Sequence, residues 1–335
     1  PPPISPPPLS GGRLRFVKDT ASPPTPRPAP APPPPPRSPP PRPPPAAPAA
    51  AEQGPSVART AWMGQIPDDT SLSALSIPGT HDTGAWTGSV WSRTQDLTLT
   101  EQLDSGVRFL DVRTRHYRDA FPIHHGVEYL NLNFTDVVTD IGDFLDENPS
   151  ETVLMRMKKE HTEEENTRSY EQTLDHYVEE NPDTRDILTE RLWAPEQGVD
   201  RVPDLGEVRG RIVIVQDFSA SRDYGVHWNG SSLDIQDDYR VPTLFDIPAK
   251  WEKARTHFER TASGADDVLY VNHLSGSGAP FANPREVALG GLGIRGVNPR
   301  AVDHLRPVEA PRTGVVVMDF PSQELTDLVI AHNPG

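Results

Sequence analysis

The sequence predicts an α/β fold, a single barrel of parallel strands and helices behind a proline-rich N-terminal segment. Three observations predict it. From about Ala61 onward, short apolar runs alternate with stretches of helical periodicity, the pattern of strands joined by crossover helices. Titratable residues stand after one apolar run after another, as they do where the strands of a barrel converge on one face. About 280 residues of ordinary globular composition remain once the proline-rich segment is set aside, a length that suits one barrel.

The N-terminal segment comes first. Of the 40 prolines, 23 fall in residues 1–50. Runs such as Pro32 to Pro36 favour polyproline II and cannot build a core. Residues 1–55 are therefore expected to be a disordered proline-rich linker or tail, and residues 56–335 the barrel. Strands are expected at Leu75 to Ile77, Val107 to Val112, Thr152 to Met157, Arg211 to Val215, Val268 to Val271 and Gly314 to Met318. Between them, Phe134, Val137, Val138, Ile141 and Leu145 form one apolar helix face. Thr243 to Ser263 reads as a longer helix with Pro248 near its start, and Ser322 to Asn333 as a closing helix. No repeat of fixed period is evident.

Charge and composition exclude several function classes. The first 50 residues hold six Lys/Arg and one Asp, a charge of +5, so against a net charge of −16 the remainder carries −21. A body that acidic repels nucleic acid. No stretch reaches the roughly 20 apolar residues that span a bilayer. The absence of cysteine removes disulfides, thiolate metal sites and cysteine nucleophiles. The chain starts without Met and without a charged-then-apolar leader, so it is read as processed or truncated.

The chemistry lies in the polar residues at the end of each apolar run. Leu75 to Ile77 leads to Pro78-Gly79-Thr80-His81-Asp82, and Val107 to Leu110 leads to Asp111-Val112-Arg113. Phe121 to Ile123 leads to His124-His125-Gly126, and Thr152 to Met157 to Lys158-Lys159-Glu160. Arg211 to Val215 leads to Gln216-Asp217, and Gly314 to Met318 to Asp319. One such group is a charge meeting solvent, whereas six in order argue for a shared site. His81 and one of His124 or His125 can serve as general base and general acid near neutral pH. Arg113 and Lys158 supply fixed positive charge, and Asp82, Asp111 and Asp319 can orient imidazoles or pair with the arginine. There is no Gly-x-Ser-x-Gly elbow and no His-Glu-x-x-His zinc helix. Two histidines flanking an arginine suit phosphodiester transfer, with charge-assisted hydrogen bonds on the non-bridging oxygens. His124 reads as packing, Lys159 and Glu160 as solvated strand-end charges, and His116, His161, His176 and His227 as surface histidines.

The motifs Ser76 to Gly84, Gly106 to Arg113, Ile123 to Gly126 and Asn148 to Glu160 closely resemble bacterial phosphatidylinositol-specific phospholipase C. The resemblance runs in order over the whole globular part. It implies a distorted, TIM-like (β/α) barrel and cleavage of phosphatidylinositol to diacylglycerol and a cyclic inositol phosphate. Carried over by position, His81 resembles the general base, Asp319 its orienting carboxylate and His125 the general acid. Asp82 resembles the group that supports His125 and Arg113. Arg113 resembles the phosphate-holding arginine, with Asp111 beside it. Lys158, Asp237 and Tyr239 resemble inositol-binding positions. The family often has an arginine at the end of the fifth strand, where this chain has Asp217, expected either to accept hydrogen bonds from inositol hydroxyls or to pair locally.

The resemblance also bears on cofactor and partners. Calcium-using relatives hold the ion with oxygen ligands, of which calcium takes six to eight. Here Arg113 and Lys158 occupy such places, so no cofactor and no metal is expected, and calcium is disfavoured. Trp86, Trp91 and Phe281 are expected to form an apolar rim at the membrane. The expected partners are phosphatidylinositol in membranes and glycosyl-phosphatidylinositol anchors, with no nucleic acid. The expected protein is a secreted monomer peripheral to its target membrane. Alternatives of other kinds are a calcium-dependent phospholipase C of the same fold and a non-catalytic inositol-lipid-binding barrel. Binding alone would need neither His81 nor His125.

Overall fold

The computed structural model describes residues 58–307 and 312–334. The segment assigned to residues 1–55 lies outside the described residues. Twelve strands are described: β1 Ser76–Thr80, β2 Phe109–Thr114, β3 Pro122–His125, β4 Glu128–Asn133, β5 Val153–Lys159, β6 Ile212–Asp217, β7 Gly225–His227, β8 Leu233–Gln236, β9 Leu269–His273, β10 Gly290–Gly291, β11 Ile294–Arg295 and β12 Gly314–Met318. Among them run α1 Leu99–Asp104, α2 Phe134–Glu147, α3 Tyr170–Glu179, α4 Arg185–Arg191, α5 Leu205–Val208, α6 Ile247–Ser263, α7 Pro284–Leu289, α8 Val297–Leu305 and α9 Gln323–Ala331.

Eight strands pair in parallel in the order β7-β6-β5-β2-β1-β12-β9-β8. The first and last strands in the chain are neighbours, with Ser76 opposite Gly314 and Thr80 opposite Met318. The path is open between β7 and β8, so the barrel is nearly closed. The opening falls where the crossovers fail: among the described residues, no helix joins β6 to β7 or β7 to β8. β3 and β4 form an antiparallel hairpin carried on the end of β2.

The helices form for the reasons read in the sequence. The face Phe134, Val137, Val138, Ile141 and Leu145 is buried in α2, which Asn133 and Asp136 cap. Pro248 sits in the first turn of α6, where its missing N–H costs nothing. A serine opens α9, where the Ser322 hydroxyl accepts the Leu325 N–H.

Six strands stand where expected, but most run two or three residues further, through the polar residues at the end of each apolar run. The alternation explains this. Ile77, Phe109, Leu154, Val213, Val271, Val315 and Val317 share one buried core with Val215. Side chains two apart point the same way along a strand, so His81, Asp111, Arg113, Arg156, Lys158, Asp217, His273 and Asp319 continue the rows of that core. The outward rows pack on helices: Leu110, Met155 and Ile214 with α2, and Val316 and Met318 with α6 and α8. β7 and β8 are additions to the expected strands; three and four residues with few apolar positions give too short a signal.

Candidate active site

The β-carboxyl ends bring His81, Arg113, His125, Lys158, Asp237, Tyr239 and Asp319 around a cavity of about 290 Å³, closed on one side by Gly276, Ser277 and Pro284. Hollows of about 520 Å³ lie elsewhere, one along Gln236 and α6 and one beside Asp217 and His227. The smaller cavity is the one with acid–base chemistry.

His81 directly follows β1, and its N–H extends the ladder to the Met318 carbonyl at 2.9 Å. Its Nδ1 lies 2.8 Å from Asp319 Oδ1. Its Nε2 lies 2.7 Å from the Arg113 guanidinium, which has only donors. The ring therefore carries its proton on Nδ1, and its Nε2 lone pair accepts from Arg113 at the edge of the cavity. Burial, reinforced by the Arg113 charge, holds the imidazole well below its ordinary value. Burial likewise raises Asp319 well above the carboxylate range, against the Gly276 amide and Arg113.

Asp82 takes the left-handed conformation, φ 43°, which aspartate tolerates better than most residues. That turn aims its Oδ2 at His125 Nδ1, 2.5 Å away. His125 ends β3, and the two-residue turn Gly126-Val127 returns the chain into β4, with Gly126 at φ 55°. With Nδ1 engaged, His125 presents Nε2 to the cavity. His124 points elsewhere, its ring 5.6 Å from that of Tyr129.

Arg113 sits between the two imidazoles. Its Nε and NH2 donate to Asp111 Oδ2, both at 3.1 Å, and its NH1 lies 3.9 Å from Asp82 and 3.8 Å from Glu160. Burial opposes this charge, but Asp111, Asp82 and Glu160 outweigh it and raise the group above the usual arginine value. Asp111 is also fully buried, yet Arg113 and Arg156 hold it well below the carboxylate range. Lys158 Nζ lies 3.7 Å from Glu160. Tyr239 stands half exposed at the mouth.

Other expected residues fall differently. Asp217 is held by Arg156, at 2.7 Å from NH2 and 3.2 Å from Nε, and lines the neighbouring hollow. Glu160 is not a solvated strand-end charge: besides the two cations, it accepts the Gly126 N–H at 3.1 Å. His116 is not a surface histidine. It is buried against Phe121 and Tyr170, with Nε2 2.9 Å from the Thr173 hydroxyl. Trp86 is half buried against the core, whereas Trp91 and Phe281 are 39% and 68% exposed.

Three further residues that the sequence does not single out stand beside the site without lining its cavity. His273 ends β9, packs edge-on to His81 at 6.1 Å, and is pulled down to about 3 by burial. The strand-end rule finds it once applied there, since Asn272-His273 follows Val268 to Val271. Lys250 lies on the buried stripe of α6 with Trp251 and Ala254, and burial brings it down to about 8 despite Asp237 and Asp238. Arg156 stands inside the apolar run of β5, where an arginine is itself the signal. Among the described residues, no group of three or more His, Asp or Glu is arranged to hold a metal ion.

Known proteins share this arrangement of strands and motifs. The family model for phosphatidylinositol-specific phospholipase C, X domain, matches residues 69–217. A 1-phosphatidylinositol phosphodiesterase of Listeria monocytogenes is 30% identical over 295 residues, covering 83% of this chain and 86% of the relative. One from Staphylococcus aureus is 28% identical over 288 residues, covering 77% and 87%. The solved phosphatidylinositol-specific phospholipase C of L. monocytogenes superposes with a TM-score of 0.70 at 27% identity, over 83% of this chain and 100% of that one. A variant of the S. aureus enzyme gives 0.71 at 25% identity, over 83% and 98%.

Proposed function

The chain belongs to the phosphatidylinositol-specific phospholipase C family, and from that premise we propose that its cavity cleaves phosphatidylinositol to diacylglycerol and a cyclic inositol phosphate. The observation that carries the reading is the pairing of two imidazoles with two buried carboxylates, His81 with Asp319 and His125 with Asp82, on either side of Arg113. The neutral His81 takes the proton of the inositol 2-hydroxyl on Nε2. The 2-oxygen attacks phosphorus, and the bond to the glycerol oxygen breaks. His125 gives its Nε2 proton to that leaving oxygen, and Asp82 stabilises the cation beforehand. Arg113 turns from His81 Nε2 to the non-bridging oxygens, where two parallel N–H donors match the phosphate. Lys158, Asp237 and Tyr239 face the inositol ring, the tyrosine with its aromatic side.

The reaction needs no metal in this reading. Arg113 already places positive charge where the phosphate gains negative charge, and a cation there would meet both Arg113 and Lys158. Val90, Trp91, Val127 and Phe281 are exposed apolar residues on loops that follow strand ends, which supports peripheral contact with the lipid surface. We assign the enzyme to the outside of the cell as a monomer, acting on phosphatidylinositol and on glycosyl-phosphatidylinositol anchors. With no cysteine, the chain carries no thiol that an oxidising compartment could mispair. We place the start of the barrel just after residue 55; the burial of Trp62 and Met63 in the core supports a start close to there. The test is a cleavage assay on phosphatidylinositol vesicles in excess chelator, then with calcium restored. Equal rates are expected; turnover only with calcium would replace this reading by a calcium-dependent enzyme.

A further inference from the structure

Arg156 is a buried cation with no access to the substrate. Its side chain is 3% exposed, and three groups enclose it. NH1 donates to Asp111 Oδ1 at 3.3 Å. Nε and NH2 donate to Asp217 Oδ2. Its Cζ lies 3.7 Å from the centre of the Trp228 ring. The strand register explains the geometry. Asp111, Arg156 and Val215 stand side by side on β2, β5 and β6, and Arg113, Lys158 and Asp217 stand side by side one layer nearer the cavity.

We propose that Arg156 is a positioning residue for the phosphodiester transfer, and that Asp217 serves as its anchor rather than as an inositol ligand; this rests on the function proposed above. Asp111 divides its two oxygens. Oδ2 receives Arg113 and the Asp82 N–H, so it fixes both the phosphate-binding arginine and the turn that carries the general acid's partner. Oδ1 receives Arg156. With both oxygens engaged, the carboxylate cannot rotate, and the direction of the Arg113 fork is set. Arg156 also shares the negative charge of Asp111, so that Arg113 is not fully neutralised and keeps field for the phosphate. Burying a guanidinium is unfavourable unless it is paired. Asp217 supplies the second anion that makes the position tenable.

The experiment uses a soluble inositol phosphodiester and the variants Arg156→Met, Arg113→Ala and Asp217→Asn, with Arg156→Met also combined with each of the other two. Arg156→Met is expected to lower kcat by about 10²-fold, the scale of a misplacement of about 1 Å, with KM little changed. In the Arg113→Ala background it should add almost nothing, because its effect passes through Arg113. Asp217→Asn should lower kcat alone but not in the Arg156→Met background. Equal losses in both Arg113 backgrounds would show a structural role and overturn the proposal. So would a raised KM for Asp217→Asn that persists without Arg156. Should Arg156→Met fail to fold, Arg156→Lys is read in the same cycle and should fall between. The wild-type rate reports on the function itself, and the ratios report on Arg156.

Discussion

Replacing Arg113 by lysine is the perturbation that separates charge from geometry. The guanidinium makes three contacts at once: two donors on Asp111 Oδ2 at 3.1 Å and one on His81 Nε2 at 2.7 Å. An ammonium keeps the ion pair with Asp111, but a single nitrogen cannot also span the distance to His81 or present two parallel donors to a phosphate. The fold loses little, since the charge remains beside Asp111, Asp82 and Glu160. The transition state loses one oriented electrostatic contact, and comparable losses cost about 10²–10³ in kcat, or about 3–4 kcal/mol. A soluble inositol phosphodiester is the right substrate, because vesicle binding then plays no part. Thermal unfolding on the same sample shows whether the barrel is intact. A lysine variant that is folded and turns over near the wild-type rate would refute the assignment of Arg113 to the phosphate.

Three further outcomes are expected. His81→Ala and His125→Ala should each lower kcat by about 10²–10⁴ with the fold retained; normal turnover in either would remove that residue from proton transfer. Because burial and then Arg113 lower the His81 pKa below the ordinary 6.5, His81 stays neutral further into acid. The acidic limb of kcat/KM should therefore lie below pH 6.5 and move upward in Arg113→Gln; a limb at or above the ordinary histidine value in the wild type would contradict a buried neutral base. Trp91→Ala with Phe281→Ala should weaken binding to phosphatidylinositol vesicles in a sedimentation assay while leaving turnover of soluble substrate unchanged, and unaltered vesicle binding would remove these residues from the membrane contact.

The site is legible in the sequence where local order carries it. His81, Arg113, Lys158 and Asp319 each stand just beyond or at the end of an apolar run, so a period of two reveals both the strand and the active face. His125 is legible as one of a pair, and only the Asp82 contact distinguishes it from His124. Lateral neighbourhood is what a sequence does not supply. Asp217 reads equally as a ligand for hydroxyls or as a locally paired charge, and only the place of Arg156 on β5 decides between them. Glu160 looks solvated until the turn at Gly126 folds over it, and His116 looks exposed until Phe121 and Tyr170 close around it. β7 and β8 are illegible for a different reason: their pairing partners, β6 and β9, hold them, and their own residues carry little strand signal.

The most direct test of the central claim is phosphorus NMR of the whole chain acting on phosphatidylinositol in excess chelator. Intramolecular attack by the 2-hydroxyl, with His81 as base and His125 as acid, predicts that the five-membered cyclic inositol phosphate accumulates first, with the acyclic phosphate following only by slower hydrolysis. Acyclic inositol phosphate as the first product, or no product until a metal ion is added, would contradict the account.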